Sequence, residues 1–215
     1  MRIVVAGGHG QIALHLERML AESGDQPVGL VRNPDHVADL EAVGAEAVVL
    51  DLEKASAAEV AGVVHGADAV VFAAGGGPKS GPERKDTVDR GAAALLADAA
   101  EQAGVRRYVM VSSMGTDDVD PDSDDVMQVY LRAKAAADED LRNRDLDWTI
   151  VKPGRLTDTD GSERVLAGPD VGYGEIPRAD VAATLLGALR TPATIGKQFN
   201  LVSGSQPIPD ALAGV

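Results

Sequence analysis

The first thirteen residues, MRIVVAGGHGQIA, constrain the rest of the chain more than any other stretch, because an apolar run passes straight into a glycine-rich turn and then a helical pattern. Arg2 to Ala6 is rich in Ile and Val, as a parallel strand buried on both faces requires. Gly7, Gly8 and Gly10 allow a sharp turn and let the backbone approach a pyrophosphate that any Cβ would push away. A helix opening at Gln11 and Ile12 aims unpaired N–H groups and its positive dipole end at the same anion. Ala13 is small enough for that helix to pack closely on the strand, and His9, inside the turn, is placed to touch a phosphate. The spacing is Gly7-x-x-Gly10-x-x-Ala13, which differs from G-x-G-x-x-G.

The pattern then repeats as strand and helix in turn. Gln11 to Ser23 has apolar residues at helical spacing and stops at Gly24. Val28 to Arg32 reads as a second strand, halted before Pro34, and Asp35 to Val43 as a short helix closed by Gly44. Ala47 to Leu50, Asp68 to Ala73, Tyr108 to Ser112 and Trp148 to Val151 follow as strands. Helices are expected over Ser56 to His65, Asp86 to Ala103 and Val126 to Arg144. GGGPKSGPERK, Gly75 to Lys85, is too rich in glycine and proline for a regular element and reads as a cationic surface loop, and Thr116 to Asp125 as an acidic solvated one. From Arg155 to Ile176 the pattern breaks into turns around one short apolar run, Val165 to Ala167. Arg178 to Leu189 reads as a helix, Gln198 to Val202 as a last strand, and the tail as a short helix at most. Such alternation predicts an α/β fold, a doubly wound parallel sheet of Rossmann type. A single domain over 1–215 is expected, with 155–215 forming a small substrate-side region.

Composition narrows the function classes. At 215 residues and 45% hydrophobic, one core is large enough to bury about 70% of the unfolded surface. The chain has no cysteine, which removes disulfides, thiolate metal sites and thiol nucleophiles and fits a reducing cytoplasm. Met1 leads directly into a core strand, so no cleavable leader is expected, and no apolar run approaches a membrane span. The net charge of −14 repels nucleic acid and anionic membranes alike. An anionic cofactor would need a local site made from few cations and many N–H groups. The four histidines are scattered, which predicts no metal site.

Ligands of such sheets sit beyond the carboxyl ends of the strands. Arg32 stands after the second strand, where an acidic side chain would select an unmodified ribose; a guanidinium there favours a 2′-phosphate, and so NADP(H) over NAD(H). Asp51 or Leu52 is placed to receive the adenine amino group. Tyr130 and Lys134 are four apart on one helix, so they share a face. The cation would stabilise a tyrosinate and could also hold a cofactor ribose. Ser113, at the end of the fifth strand, could hydrogen-bond a substrate oxygen.

With these pieces in order, the chain resembles the atypical, NAD(P)H-binding branch of the short-chain dehydrogenase/reductase superfamily, which includes NmrA-like and flavin-reductase-like proteins. The matching residues are Gly7-x-x-Gly10-x-x-Ala13, Val31-Arg32-Asn33-Pro34, Asp51-Leu52, Ala73-Ala74-Gly75, Val111-Ser112-Ser113, Tyr130-x-x-x-Lys134, Lys152-Pro153-Gly154-Arg155 and Arg178-Ala179-Asp180-Val181-Ala182. The resemblance implies Ser113, Tyr130 and Lys134 as a catalytic set. It implies a cofactor site made from Gly7, Gly8, His9, Gly10, Gln11, Ile12, Arg32, Asn33, Asp51, Leu52, Ala73, Ala74, Gly75, Ser112, Lys134, Pro153, Gly154 and Arg155. Two departures stand out. The helix from Asp86 to Ala103 contains no asparagine to order a proton-relay water, and only about sixty residues follow the sixth strand, too few for a sugar-nucleotide domain.

The expected function is an NADP(H)-dependent oxidoreductase of a small carbonyl or alcohol, with Tyr130 giving or taking the proton, in a monomer or homodimer. Two other classes share the scaffold: an NADP(H)-sensing regulatory protein without chemistry, and a flavin or quinone reductase-like enzyme that passes hydride directly.

Overall fold

The computed structural model describes residues 1–75 and 85–215, so most of the expected Gly75 to Lys85 loop lies outside the described residues. Strand β1 (Arg2–Ala6) lies in the middle of the sheet, between β2 (Gln26–Val31) and β4 (Ala69–Phe72). From β1 the chain steps outward through β2 to β3 (Glu46–Val49). It then crosses back to β4, β5 (Arg107–Val111), β6 (Asp147–Pro153) and, further along, β10 (Lys197–Ser203). All these neighbours pair in parallel. The reversal between β1 and β4 opens a crevice at their carboxyl ends, where a ligand fits.

Alternation along each strand sends side chains to opposite faces, and each face has its own core. Ile3 and Val5 join Leu16 and Leu20 of α1 (Gln11–Glu22) and Val181 and Leu185 of α6 (Arg178–Arg190). Val4 and Ala6 join Val60 and Val64 of α3 (Ala57–Val64), Leu96 and Ala100 of α4 (Ala93–Ala103), and Leu141 of α5 (Val126–Arg142). The short α2 (Val37–Ala42) buries Leu40 beside β2. Among the described residues no helix is long and apolar enough to cross a membrane.

The structure departs from the sequence reading in three places. The helix expected from Asp86 begins as a π-helical segment, Lys85–Ala92, before α4. Its wider turn shifts the helical register, and the segment buries Val88 and Asp89. Strand β6 continues through Pro153, because the ladder there uses the Pro153 carbonyl, which accepts from Met114 N at 3.1 Å, and Gly154 N, which donates to Leu201 at 2.9 Å. The proline N–H is not needed.

The segment expected as turns, Arg155 to Ile176, contains three strands: β7 (Arg155–Thr157), β8 (Arg164–Gly168) and β9 (Glu175–Pro177). β8 runs antiparallel to β10 and carries the two-residue β11 (Gln206–Pro207) beyond it, while β7 and β9 form a separate parallel pair. Strands of three to five residues show too little alternation to be read locally. The tail ends in α7 (Ile208–Ala213).

Candidate functional site

At the carboxyl ends of β1 to β4 lies a cleft of about 280 Å³. The turn after β1 forms one wall. Gly7 adopts φ +83°, and a Cβ there would stand 2.6 Å from the Ala74 Cα, so the turn and the end of β4 touch backbone to backbone. A Cβ on Gly10 would stand 3.1 Å from the Gly7 carbonyl. Gly10 is also the N-cap of α1, with no side-chain cap among the described residues, so the first-turn N–H groups are left for another acceptor. These observations fit a pyrophosphate, which needs a cradle without side chains and with donors.

Of the residues expected to hold a cofactor, Gly7, His9, Gly10, Arg32, Asp51, Leu52, Ala73, Ala74 and Gly75 line this cleft together. Gly8 points its Cα inward, toward Gly29 of β2. Gln11 and Ile12 start α1, with Ile12 packed on the core. Asn33 is used locally, accepting from Asp35 N at 3.1 Å as the cap of a 3₁₀ turn. Pro153 and Gly154 sit at the end of β6 away from the cleft lining, and Arg155 pairs with Glu175.

The cleft also gathers residues that sequence reasoning passed over: His36, Glu53 and Val88. Glu53 holds Arg32, whose Nη1 lies 3.5 Å from Oε2, and accepts from Thr87 Oγ1 at 2.8 Å. Its position two residues after Asp51, which accepts from Glu53 N at 3.1 Å, is the only local signal for it. Burial opposes ionisation of Asp51, but Lys54 and the Glu53 N–H hold its carboxyl below the usual range. His9 and His36 stack with ring centroids 3.5 Å apart, and His9 Nε2 meets Asp39 Oδ2 at 2.8 Å. His9, expected in the turn, and His36, expected apart from it, are thus drawn together where the turn meets α2, a contact across 27 residues that no local pattern predicts.

On the other side of Ala74 stands α5. Tyr130, Lys134 and Asp138 follow at helical spacing on one face, Tyr130 half-buried and the other two buried. Lys134 Nζ donates to the Val111 carbonyl at 3.1 Å and the Ala74 carbonyl at 3.5 Å, lies 3.3 Å from Asp89 Oδ1, and sits 5.4 Å above the Phe72 ring. Asp138 accepts from Ser112 Oγ at 2.8 Å and Thr116 Oγ1 at 3.1 Å. Burial raises its carboxyl against the pull of Ser112, Lys152 and Lys134. Lys152, buried in β6, reaches Asp117 at 2.7 Å and so ties the acidic loop to the strand ends. Ser113 is half-buried, its Oγ donating to the Met114 carbonyl at 3.2 Å. The lining of the cleft suits a dinucleotide, while Ser112, Ser113, Tyr130 and Lys134 are not among the residues that line it.

Comparison with known proteins agrees with this geometry. Residues 7–192 match a family described as NAD(P)H-binding. The Bacillus subtilis protein YhfK, named an uncharacterized sugar epimerase, is 35% identical over 99% of both chains. A solved Bacillus halodurans structure, named for NAD-dependent epimerases and dehydratases, superposes with a TM-score of 0.92 at 36% identity over 100% of both chains. The oxidoreductase YlbE of Lactococcus lactis superposes with a TM-score of 0.88 at 27% identity, over 100% of this chain and 96% of its own. With the strand order, the glycine turn and these likenesses in agreement, the chain belongs to the NAD(P)H-binding family and has its Rossmann-type fold.

Proposed function

We propose that the protein is an NADP(H)-dependent oxidoreductase of a small carbonyl or alcohol. The observation that carries this reading is the cleft at the ends of β1 to β4, with the uncapped turn at one wall, Arg32 in its lining and Lys134 of α5 reaching the Ala74 carbonyl. The name of the Lactococcus relative, an oxidoreductase, supports it. In this reading the first-turn N–H groups hold the pyrophosphate, Asp51 and Leu52 receive adenine, and Arg32 meets a 2′-phosphate. The bound nicotinamide supplies or accepts a hydride. Tyr130 donates its proton to the carbonyl oxygen that gains charge as the hydride arrives, Ser113 donates a hydrogen bond to that oxygen, and Lys134 orients the site. The segment 155–215 forms the substrate side, braced within itself by the pairs Arg155 with Glu175 and Arg178 with Asp158.

One observation favours a second reading, direct hydride transfer to a flavin or quinone without a tyrosine proton. Lys134 Nζ already donates to Val111 O, lies 3.5 Å from Ala74 O and is ion-paired with buried Asp89, so a tyrosinate or a ribose would have to compete with these contacts for it. NADPH oxidation measured against aldehydes, ketones, quinones and free flavins separates the two. Under the first reading Tyr130→Phe lowers carbonyl-reduction kcat by about a hundredfold or more while NADPH affinity holds. Full carbonyl reduction by that variant would exclude the acid/base role, and quinone or flavin reduction that ignores the substitution would favour the second reading.

A further inference from the structure

The least expected side chain in the cofactor half is Glu17, in the middle of α1. It is fully buried, and neither carboxyl oxygen has a hydrogen-bond partner among the described residues. Its place is the inner side of the glycine turn. A Cβ on Gly8 would lie 2.9 Å from Glu17 Oε1, and a Cβ on Gly29, in β2, only 2.5 Å from the same oxygen. Gly8 and Gly29 also touch each other, and Gly8 N donates to the Leu30 carbonyl at 3.0 Å. Two glycines facing one another across β1 and β2 therefore make a slot that the carboxyl fills. The cofactor cradle lies on the outer side of the same turn.

We propose that Glu17 is a positioning residue for the dinucleotide turn that serves as a neutral acid, so that losing its proton weakens cofactor binding. The inference rests on the reading of the cleft as the cofactor site. A carboxylate in this slot would be a buried charge with no partner, one backbone layer from the phosphates it would repel. Either it stays and opposes the anion, or it leaves and takes with it the packing that holds Gly8 against Leu30. Burial raises the group to about 8, and among the described residues no charged neighbour offsets it. The titratable groups on the surrounding elements are otherwise engaged or apart. His9 in the turn is bonded to Asp39 of α2, and Arg32 after β2 faces Glu53. His15, Arg18 and Glu22 of α1 and Glu41 of α2 make no bond to Glu17.

The test is titration calorimetry of the intact protein with NADPH and with NADH from about pH 6 to about pH 9.5, a range that brackets the Glu17 titration. Wild-type affinity for both is expected to hold to about pH 8 and then fall, approaching tenfold per pH unit, with proton uptake on binding near pH 8. Glu17→Gln, which imitates the neutral acid, is expected to show an affinity that no longer follows pH and binding without that proton. Should the unpartnered amide prevent folding, Glu17→Met gives the same comparison with an apolar filler. An infrared band of a protonated carboxyl in the wild type at neutral pH, absent from the variant, supports the proposal independently of any ligand. Identical pH profiles for wild type and variant, with both binding, would overturn the role of Glu17 and leave the cleft reading intact. Failure of wild type to bind either nucleotide at any pH would remove the cleft reading and this proposal with it.

Discussion

Arg32 is half exposed at the mouth of the cleft, and its guanidinium lies 3.5 Å from Glu53 and also acts on Asp51. A 2′-phosphate would compete with Glu53 for the same fork of donors. Arg32→Ala is therefore expected to weaken NADPH binding by about 1 to 3 kcal/mol and leave NADH nearly unchanged. Glu53→Gln is expected to tighten NADPH by up to about 1 kcal/mol, since it frees the guanidinium from an exposed pair. Equal loss for both cofactors in Arg32→Ala would place the phosphate elsewhere. Glu17 carries a second prediction, in stability. Folding lifts its pKa from 4.5 to about 8, so the folded state keeps a proton that the unfolded chain releases. Wild-type stability relative to Glu17→Gln should then be unpenalised below pH 4.5 and decline as pH rises through 4.5 to 8. The slope is about 1.4 kcal/mol per pH unit at most, with the difference constant above that window. Urea unfolding of both proteins across pH measures it, and a difference independent of pH would mean that Glu17 folds in ionised.

Among the elements, β8 depends on a bend outside its own residues. The chain reaches it through Gly161 to Glu163, and Glu163 takes φ +54°, a left-handed conformation that a side chain rarely adopts. Asp180, buried in the first turn of α6, holds that bend by accepting from Ser162 N at 3.0 Å and Glu163 N at 2.8 Å. Asp180→Ala leaves both N–H groups without their acceptor and is expected to cost about 1 to 3 kcal/mol. Hydrogen exchange should rise first in Arg164–Gly168; unchanged protection there would show that pairing with β10 alone holds the strand. The turn after β1 behaves differently, because its geometry is set by contact with β4. Gly10→Val, with a branched side chain in the cradle, is expected to abolish binding of either cofactor in a folded protein, read by the same calorimetry.

Over the whole molecule, a net charge of −14 sets a background of self-repulsion against which these local pairs act. The urea midpoint is expected to rise as sodium chloride increases from low to physiological strength and beyond, since screening relieves that repulsion; a midpoint that falls with salt would mean that local ion pairs outweigh it. The sequence alone determined the alternation of strands and helices, and with it the parallel sheet and the crevice between β1 and β4, because each signal is local: an apolar run, a helical period, a glycine such as Gly24, Gly44 or Gly104 closing a helix. It also placed nine cleft residues, from Gly7 to Gly75, since strand ends in such a sheet converge whatever the loops do. Tertiary structure alone decided that Glu17 sits in a slot between Gly8 and Gly29, that His9 stacks on His36, that Lys134 meets Asp89, and that β8 pairs antiparallel with β10. Each of these joins residues distant in the chain, and the energy that selects them comes from burial and charge pairing that exist only once the sheet has closed over them.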